Sequence, residues 1–273
     1  MLLLAAIPST AEAAGLPLPT AYSGRVGATA PGGEERLVTR RARHDTLVRA
    51  VRRSDGKVLR SRVVKGRWAV PAVTLNGATT GLSADGRTLV LGRSPRSFPP
   101  RSTHLAIVDA RRLVIRREIA LKGLFTVDAI SPDGRWLYVI EYPGEDLLDY
   151  HVRALDTSTG RLDPRDIVDP REPDEQMGGM PMARAVSRDG RWAYTLYTGG
   201  EETFIHALDT VGRTAACIDL EMLSPTADLT RTRLVVRPGR IEVRENGSVI
   251  ATVERGTFAT AVMGAVLALA QLL

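Results

Sequence analysis

The sequence predicts an all-β fold, and two observations carry this prediction. A segment of the form Ser-x-Asp-Gly-Arg occurs three times, with its aspartates at Asp85, Asp133 and Asp189. Each Asp-Gly supplies the positive φ that a tight hairpin turn needs, and the flanking residues alternate apolar and polar, as in strands with one buried face. In addition, no stretch of clear helical period interrupts this pattern between residues 36 and 255.

Size and composition are those of a globular protein. The chain has 273 residues, of which 44% are hydrophobic and 25% charged, so it can bury a sizeable core and is not disordered throughout. Cys217 is its single cysteine, which excludes a disulfide framework and any zinc site with several cysteine ligands.

The repeat predicts the architecture. Its aspartates are 48 and 56 residues apart, and each is followed by a further apolar strand that ends in Asp109, Asp156 or Asp209. Four short strands every ~40–50 residues form the blade pattern of a β-propeller. Degenerate copies near residues 47–59 and 234–250 predict about five four-stranded blades over residues 36–255, with four or six as alternatives. We expect a strand near Leu37–Thr39 to close the ring by completing a sheet formed mostly from the other end.

The pattern S-x-D-G-R-x-[LA]-[VY], with the later apolar-apolar-Asp strand, resembles the WD40-like and YVTN/TolB-like β-propeller repeats. The Gly-His and Trp-Asp marks of true WD40 repeats are missing, as is the repeated tryptophan motif of quinoprotein-like propellers. Propellers of this kind serve as scaffolds, binding proteins and enzymes, so the resemblance implies a fold and not an activity.

The two ends predict export and a membrane tether. Residues 1–13 begin with an apolar run and continue to Ala11-Glu12-Ala13, which is typical of the late part of a secretory signal peptide. We expect this signal peptide to be truncated at its start. The alternative is that these residues are a disordered apolar tail. Residues 257–273 carry no charge and predict a C-terminal apolar helix that anchors the chain in a membrane. A truncated anchor and an amphipathic closing helix are the other interpretations.

The net charge of +6 is concentrated in one segment. Residues 40–67 hold nine Arg and two Lys against two Asp, so the rest of the chain is slightly acidic. Only three of the 37 basic residues are lysine, which indicates a GC-rich, actinobacterial-type bacterial coding sequence. Interleaving with apolar residues favours a strand with one solvated face; a patch for nucleic acid, anionic polymers or acidic lipid is the alternative. Because we expect export, we expect no nucleic-acid partner.

Candidate binding residues come from aligning the three inner strands by the serine of each turn. The residues three positions before these serines are Thr80, Asp128 and Arg184. If the register holds, Asp128 and Arg184 pair across the channel and close it, or else hold a small charged ligand. Glu141 and Tyr142, where a second strand meets its loop, complete the candidate set.

No metal or cofactor is expected from the motifs. The segment from Leu162 to Pro181 is rich in Asp and Glu, and methionines follow at Met177, Met180 and Met182. These groups could hold calcium or Cu(I), but the spacing fits neither site well, and a flexible surface loop is favoured. The four histidines have no metal-ligand spacing, and no serine-hydrolase or phosphate-binding motif is present.

Together these features predict a non-catalytic binding or scaffold module for a protein or small-molecule ligand. We expect it outside the cytoplasm, extracellular or at the cell surface, and tethered to the membrane by its C-terminal segment. The alternative is a lactonase-like hydrolase that uses a metal at the propeller channel. That activity needs several convergent carboxylates or imidazoles, of which the sequence offers Asp128 and Glu141.

Overall fold

The protein is built from short antiparallel strands. The computed structural model describes residues 27–95, 97–144, 150–174, 178–199 and 202–262, and within these ranges there are nineteen strands and no helix. They form five sheets in chain order, four with four strands and the second with three. The predicted all-β fold and the count of five blades are therefore confirmed for this part of the chain.

Every sheet is a meander of strands that follow one another in sequence. The first sheet contains β1 to β4, at Ala28–Thr29, Glu35–Ala42, Asp45–Arg52 and Val58–Val64. The second contains β5 to β7, at Thr88–Gly92, Ser102–Asp109 and Val114–Lys122. The third contains β8 to β11, at Leu124–Ile130, Trp136–Tyr142, His151–Asp156 and Leu162–Asp166. The fourth contains β12 to β15, at Met180–Val186, Trp192–Thr198, Phe204–Asp209 and Thr214–Asp219. The fifth contains β16 to β19, at Thr232–Arg237, Arg240–Glu245, Ser248–Glu254 and Thr260–Val262.

The three Ser-x-Asp-Gly-Arg segments form the same turn. In the third sheet, Ser131 Oγ donates to Asp133 Oδ1 at 2.6 Å and accepts from the Trp136 amide at 2.9 Å. The Gly134 amide donates to the Ser131 carbonyl, and Gly134 has a φ of +74°, which a side chain would strain. Equivalent bonds tie Ser83 to Asp85 and Ser187 to Asp189. The motif is therefore explained by the local chemistry of a hairpin turn.

The second sheet lacks a regular inner strand. Residues 81–83 take that place beside β5 through a bridge between Leu82 and Leu89, and Ala69 pairs with Gly92 further along the same edge. Between these two segments the chain leaves the sheet and forms a small hairpin over residues 71–80, closed by a bridge between Ala72 and Thr79. We call this segment the channel hairpin.

The hydrophobic core lies between successive sheets. Four clusters of buried side chains join the first sheet to the second, the second to the third, the third to the fourth and the fourth to the fifth. At the inner turns the sheets converge, because a Cβ on Gly190 of the fourth sheet would lie 2.6 Å from the Ala84 Cβ of the second. This packing encloses a channel. We call the end at the Ser-x-Asp-Gly-Arg turns, which is narrow, the turn end, and the opposite end, at the loops between the second and third strands of each four-stranded sheet, the loop end or loop face.

The prediction that a strand near Leu37–Thr39 closes the ring by completing the last sheet is wrong. Leu37–Thr39 lie in β2, which pairs with β1 and β3 of its own sheet, and the fifth sheet is complete from β16 to β19. The first sheet supplies its own inner strand, the two-residue β1, so it needs none from the chain's other end. Among the described residues, no hydrophobic cluster joins the fifth sheet to the first.

The predicted terminal segments are described only in part. Residues 1–13 lie outside the described residues, and so do residues 263–273 of the predicted C-terminal helix. Residues 257–262 of that prediction form a turn and β19, which pairs with β18, so this stretch is not helical. Within the described ranges, no helix has the length and apolar character needed to span a membrane.

Candidate functional site

Asp128 and Arg184 meet between the third and fourth sheets. Arg184 Nη1 donates to Asp128 Oδ1 and to Thr195 Oγ1, each at 2.5 Å, and Arg184 Nη2 donates to the Asp128 carbonyl at 2.8 Å. The two charged side chains are 2% and 4% exposed. The expected pairing therefore exists, and its charges are shielded from solvent.

A β-bulge brings the carboxylate to this place. The register between β8 and β9 shifts between Val127 and Ala129, so Asp128 is the inserted residue. Val127 packs with the second sheet, whereas Ala129 packs with the third-to-fourth cluster. A bulge of this kind turns a strand locally and redirects a side chain, and here it aims Asp128 at the fourth sheet.

Aromatic side chains surround the ion pair. The rings of Tyr142, Tyr150 and Tyr197 follow one another at centroid distances of 6.0 and 5.7 Å, and His206 meets Tyr197 edge-on at 6.4 Å. His206 is fully buried, and neither of its ring nitrogens has a hydrogen-bond partner among the described residues. Asp128 Oδ2 and Arg184 Nε are likewise unpartnered there. Buried polar atoms without partners are rare and often mark a bound water or a functional group.

Burial controls the proton affinity of these groups. It lowers the pKa of His206 to about 4, while Asp128 raises that pKa and Arg184 lowers it further. Burial also raises the pKa of Tyr142 to about 12 and that of Tyr150 and Tyr197 well above the ordinary value. At neutral pH the cluster therefore contains a neutral imidazole, three neutral phenols and one compensated ion pair.

The channel hairpin joins three sheets at the loop end of the channel. The Leu75 amide donates to the carbonyl of Pro181 in β12, at 2.9 Å. Thr79 Oγ1 donates to the Gly27 carbonyl, just before β1, also at 2.9 Å. Thr80, a predicted binding residue, is half-buried at the base of this hairpin, where its amide donates to the Pro71 carbonyl. It lies in the hairpin and is not bonded to Asp128 or Arg184.

Glu141 forms an ion pair with a residue of β10, the neighbouring strand of the third sheet. Arg153 Nη1 donates to Glu141 Oε2 at 2.6 Å, and Arg153 Nε lies 3.4 Å from Asp166 Oδ1. Tyr142, the next residue, points to the other face and is buried with Tyr150. The five predicted residues are thus divided into a buried group of Asp128, Arg184 and Tyr142, an ion-paired Glu141 and a hairpin residue, Thr80.

In the acidic segment of residues 162–181, Asp163, Asp166 and Asp169 are ion-paired within the protein. Asp163 is paired with Arg165 and Arg213, and Asp169 accepts from Arg171 and from the Cys217 amide. Met177 lies outside the described residues, while Met180 and Met182 belong to β12. In the described part of the chain, no three His, Cys, Asp or Glu side chains are grouped as a metal would require.

A cavity of about 230 Å³ lies between the first and second sheets at the turn end. Glu34, Asp85 and the Arg60–Glu35 ion pair are part of its lining, together with Leu37 and Leu82. This cavity was not predicted from the sequence, because its two walls come from turns that are about 50 residues apart along the chain.

The sequence analysis also missed Thr195 and His206. In the strand register, Thr195 lies opposite Arg184, and His206 lies opposite Thr195, so all three side chains share one face of the fourth sheet. Pairing the two hairpins residue by residue from the Ser187 turn would have placed them beside Arg184.

Similarity to known proteins is found among solved structures. No protein-family model matches the chain, and no curated protein matches it in sequence. Among solved structures, hydrazine synthase of Kuenenia stuttgartiensis has a TM-score of 0.50 at 17% identity, over 95% of this chain and 69% of that one.

The solved structures also include WD40 and TolB-like β-propellers. The β-propeller domain of Cps50 (Swd1) from Myceliophteria thermophila has a TM-score of 0.46 at 12% identity, over 89% of this chain and 67% of that one. TolB from Acinetobacter baumannii has a TM-score of 0.45 at 13% identity, over 84% of this chain. This chain spans about half the length of that TolB, covering 51% of it. The five sheets of consecutive antiparallel strands give the chain a WD40/TolB-like β-propeller fold, and identities this low carry no function with them.

Proposed function

We propose that this protein is a non-catalytic binding or scaffold module that acts outside the cytoplasm. The observation that supports this most is the mutual burial of Asp128 and Arg184, which are 2% and 4% exposed. A catalytic or ligand-binding channel keeps charged groups accessible to its substrate, whereas here they compensate each other. In this proposal the Asp128–Arg184 ion pair has a structural role and connects the third sheet to the fourth.

The recognition surface in this proposal is the loop end of the propeller. The channel hairpin already joins the inner ends of the first, second and fourth sheets there, through Leu75 and Thr79. A ligand or protein partner therefore meets the hairpin and the surrounding loops before it reaches the buried charges. Half-buried Thr80 and its neighbours at the hairpin base are the polar groups of this surface.

Metal content and lactone hydrolysis test the proposal against the hydrolase alternative. The purified full chain is incubated with calcium, zinc and manganese salts, desalted and analysed for bound metal, and hydrolysis of an aliphatic lactone is then measured. We expect less than one ion per chain and no hydrolysis above the buffer rate. Retention of a stoichiometric ion that Asp128→Asn or Glu141→Gln abolishes, together with hydrolysis, would establish the hydrolase instead.

Export and tethering are tested separately. Residues 1–35 are fused to a bacterial alkaline phosphatase that is active only after export, and we expect an active enzyme. The full chain and a variant that ends at Val262 are then compared by membrane fractionation. This truncation keeps β19, and we expect it to release the protein into the soluble fraction. An inactive fusion would contradict export, and unchanged pelleting would contradict the anchor.

A further inference from the structure

One end of the first sheet carries a concentration of exposed cations. The β2–β3 turn places Ala42 opposite Asp45, and Val64 at the end of β4 lies opposite Thr46, so three strand ends meet there. These ends lie at the loop face of the propeller. We call the exposed basic residues at this end the basic corner: Arg40, Arg41, Arg43, Arg62, Lys65 and Arg67.

The basic corner is not neutralised by the protein itself. In the described part of the chain, none of its six side chains forms an ion pair. Asp45, the acid at this end of the sheet, accepts from the Gly66 amide at 3.0 Å. Some arginines elsewhere are ion-paired: Glu242 accepts from Arg237, Arg240 and Arg244. The unpaired cations therefore present their full charge to solvent.

Exposed aliphatic side chains lie along β4, the strand whose end contributes to the basic corner. β4 is the outermost strand of the first sheet, and among the described residues no strand pairs with its other side. Val63, next to the basic corner, is 56% exposed, and Val58 and Leu59 at the other end of this strand are 45% and 37% exposed. Cations interspersed with exposed aliphatic groups are typical of surfaces that rest in the headgroup region of an anionic bilayer.

We propose that the basic corner and β4 dock on the surface of an anionic lipid bilayer. Single-stranded nucleic acid is less suited, because Trp68, the one aromatic residue of segment 27–68, is buried and cannot stack on bases. An acidic protein partner is also less suited, because specific recognition favours cations held in a fixed geometry. Here the cations have no acidic partner among the described residues; Arg41 Nε donates to the Arg43 carbonyl within the corner, and the groups can follow mobile headgroups. This inference does not rest on the proposed function.

Vesicle sedimentation tests the proposal that the basic corner and β4 dock on an anionic bilayer. The full chain is mixed with vesicles of phosphatidylcholine alone, or with vesicles that also contain phosphatidylglycerol, at rising NaCl concentrations. The test variant is Arg40→Gln/Arg62→Gln/Arg67→Gln. The control variant, Arg111→Gln/Arg112→Gln/Arg117→Gln, removes the same charge from exposed, unpaired side chains of the second sheet. All six positions are exposed, and matching circular dichroism spectra verify that the variants are folded.

We expect partitioning that requires phosphatidylglycerol and weakens with salt. Each cation at the bilayer surface contributes roughly a fivefold factor, so the test variant should bind on the order of 100-fold more weakly. The control variant should stay within a few-fold of the wild type. Equal loss in both variants, or binding that does not require phosphatidylglycerol, would overturn the proposal. Tighter binding to double-stranded DNA or polyglutamate than to the vesicles at the same salt would overturn it as well.

Discussion

The buried Asp128–Arg184 pair allows a quantitative prediction about stability. Replacing Asp128 by Leu leaves the Arg184 guanidinium buried with only Thr195 Oγ1 and the backbone carbonyl of residue 128 as acceptors. Removing one partner of a buried pair costs about 3–5 kcal/mol, because an uncompensated charge remains. Folded domains have a total stability of about 5–15 kcal/mol, so this loss is a large fraction of the whole.

The double variant distinguishes the pair from its separate residues. Asp128→Leu/Arg184→Met removes both charges and fills the space with apolar groups, which is often neutral or stabilising. We therefore expect it to lie within about 2 kcal/mol of the wild type, although each single variant loses about 3–5 kcal/mol. The coupling energy of the cycle should be several kcal/mol, since the residues are in direct contact.

The assay is urea unfolding followed by circular dichroism, with the free energy of unfolding extrapolated to water. Glu118→Gln is the control, since its ion pair with Arg93 spans 3.4 Å between half-exposed side chains. Such surface pairs contribute about 0–1 kcal/mol. Single variants at Asp128 and Arg184 that cost no more than this control, or a coupling energy near zero, would refute the reasoning.

Two further predictions concern His206 and the inner turns. Burial lowers the pKa of His206 to about 4, so the unfolded chain takes up a proton below about pH 6.5 while the folded chain does not. The free energy of unfolding should fall by about 3 kcal/mol as the pH drops from 6.5 through 4, and His206→Leu should remove that slope in urea titrations. Gly86→Ala should cost about 1–2 kcal/mol for its positive φ alone, because nothing lies within 4 Å of the new Cβ. Gly190→Ala should lower the free energy of unfolding by ~1–3 kcal/mol more than Gly86→Ala does, since its Cβ would lie 2.6 Å from the Ala84 Cβ. Thermal or urea unfolding measures the difference.

Each of these predictions has an outcome that contradicts it. If wild type and His206→Leu lose stability in parallel between pH 6.5 and 4, the acid sensitivity lies in other groups. If Gly86→Ala and Gly190→Ala cost the same, the inner turns of the second and fourth sheets do not meet as described.

The parts of the fold that follow from local chemistry could be predicted from sequence. Ser131, Asp133 and Gly134 fix their turn through bonds among themselves and with Trp136, so the motif alone identifies the hairpin. The alignment of the inner strands also paired Asp128 with Arg184, and the structure has that ion pair, although the bulge at Asp128 supplies its geometry.

The parts that depend on irregular backbone or distant contacts could not be predicted in the same way. The bulge at Asp128 changes which face the side chain occupies, and no residue pattern marks it. The channel hairpin interrupts the repeat where an inner strand was expected, although Asn76-Gly77 is a turn signal that indicates it. The charged segment was predicted as one solvated face, whereas six of its unpaired cations lie at one end of the sheet and on both faces.

The channel hairpin changes how the propeller should unfold. In an array of repeated units, each unit contacts its neighbours alone, so units can be lost one at a time from the ends. The bond from Leu75 to Pro181 connects the second sheet to the fourth over a sequence separation of more than 100 residues. The third sheet lies between them and cannot detach while that link and the Gly190–Ala84 approach persist. The hairpin also holds the first sheet through the bond from Thr79 to Gly27, so we expect the first four sheets to unfold as one cooperative unit and fraying to begin at the fifth.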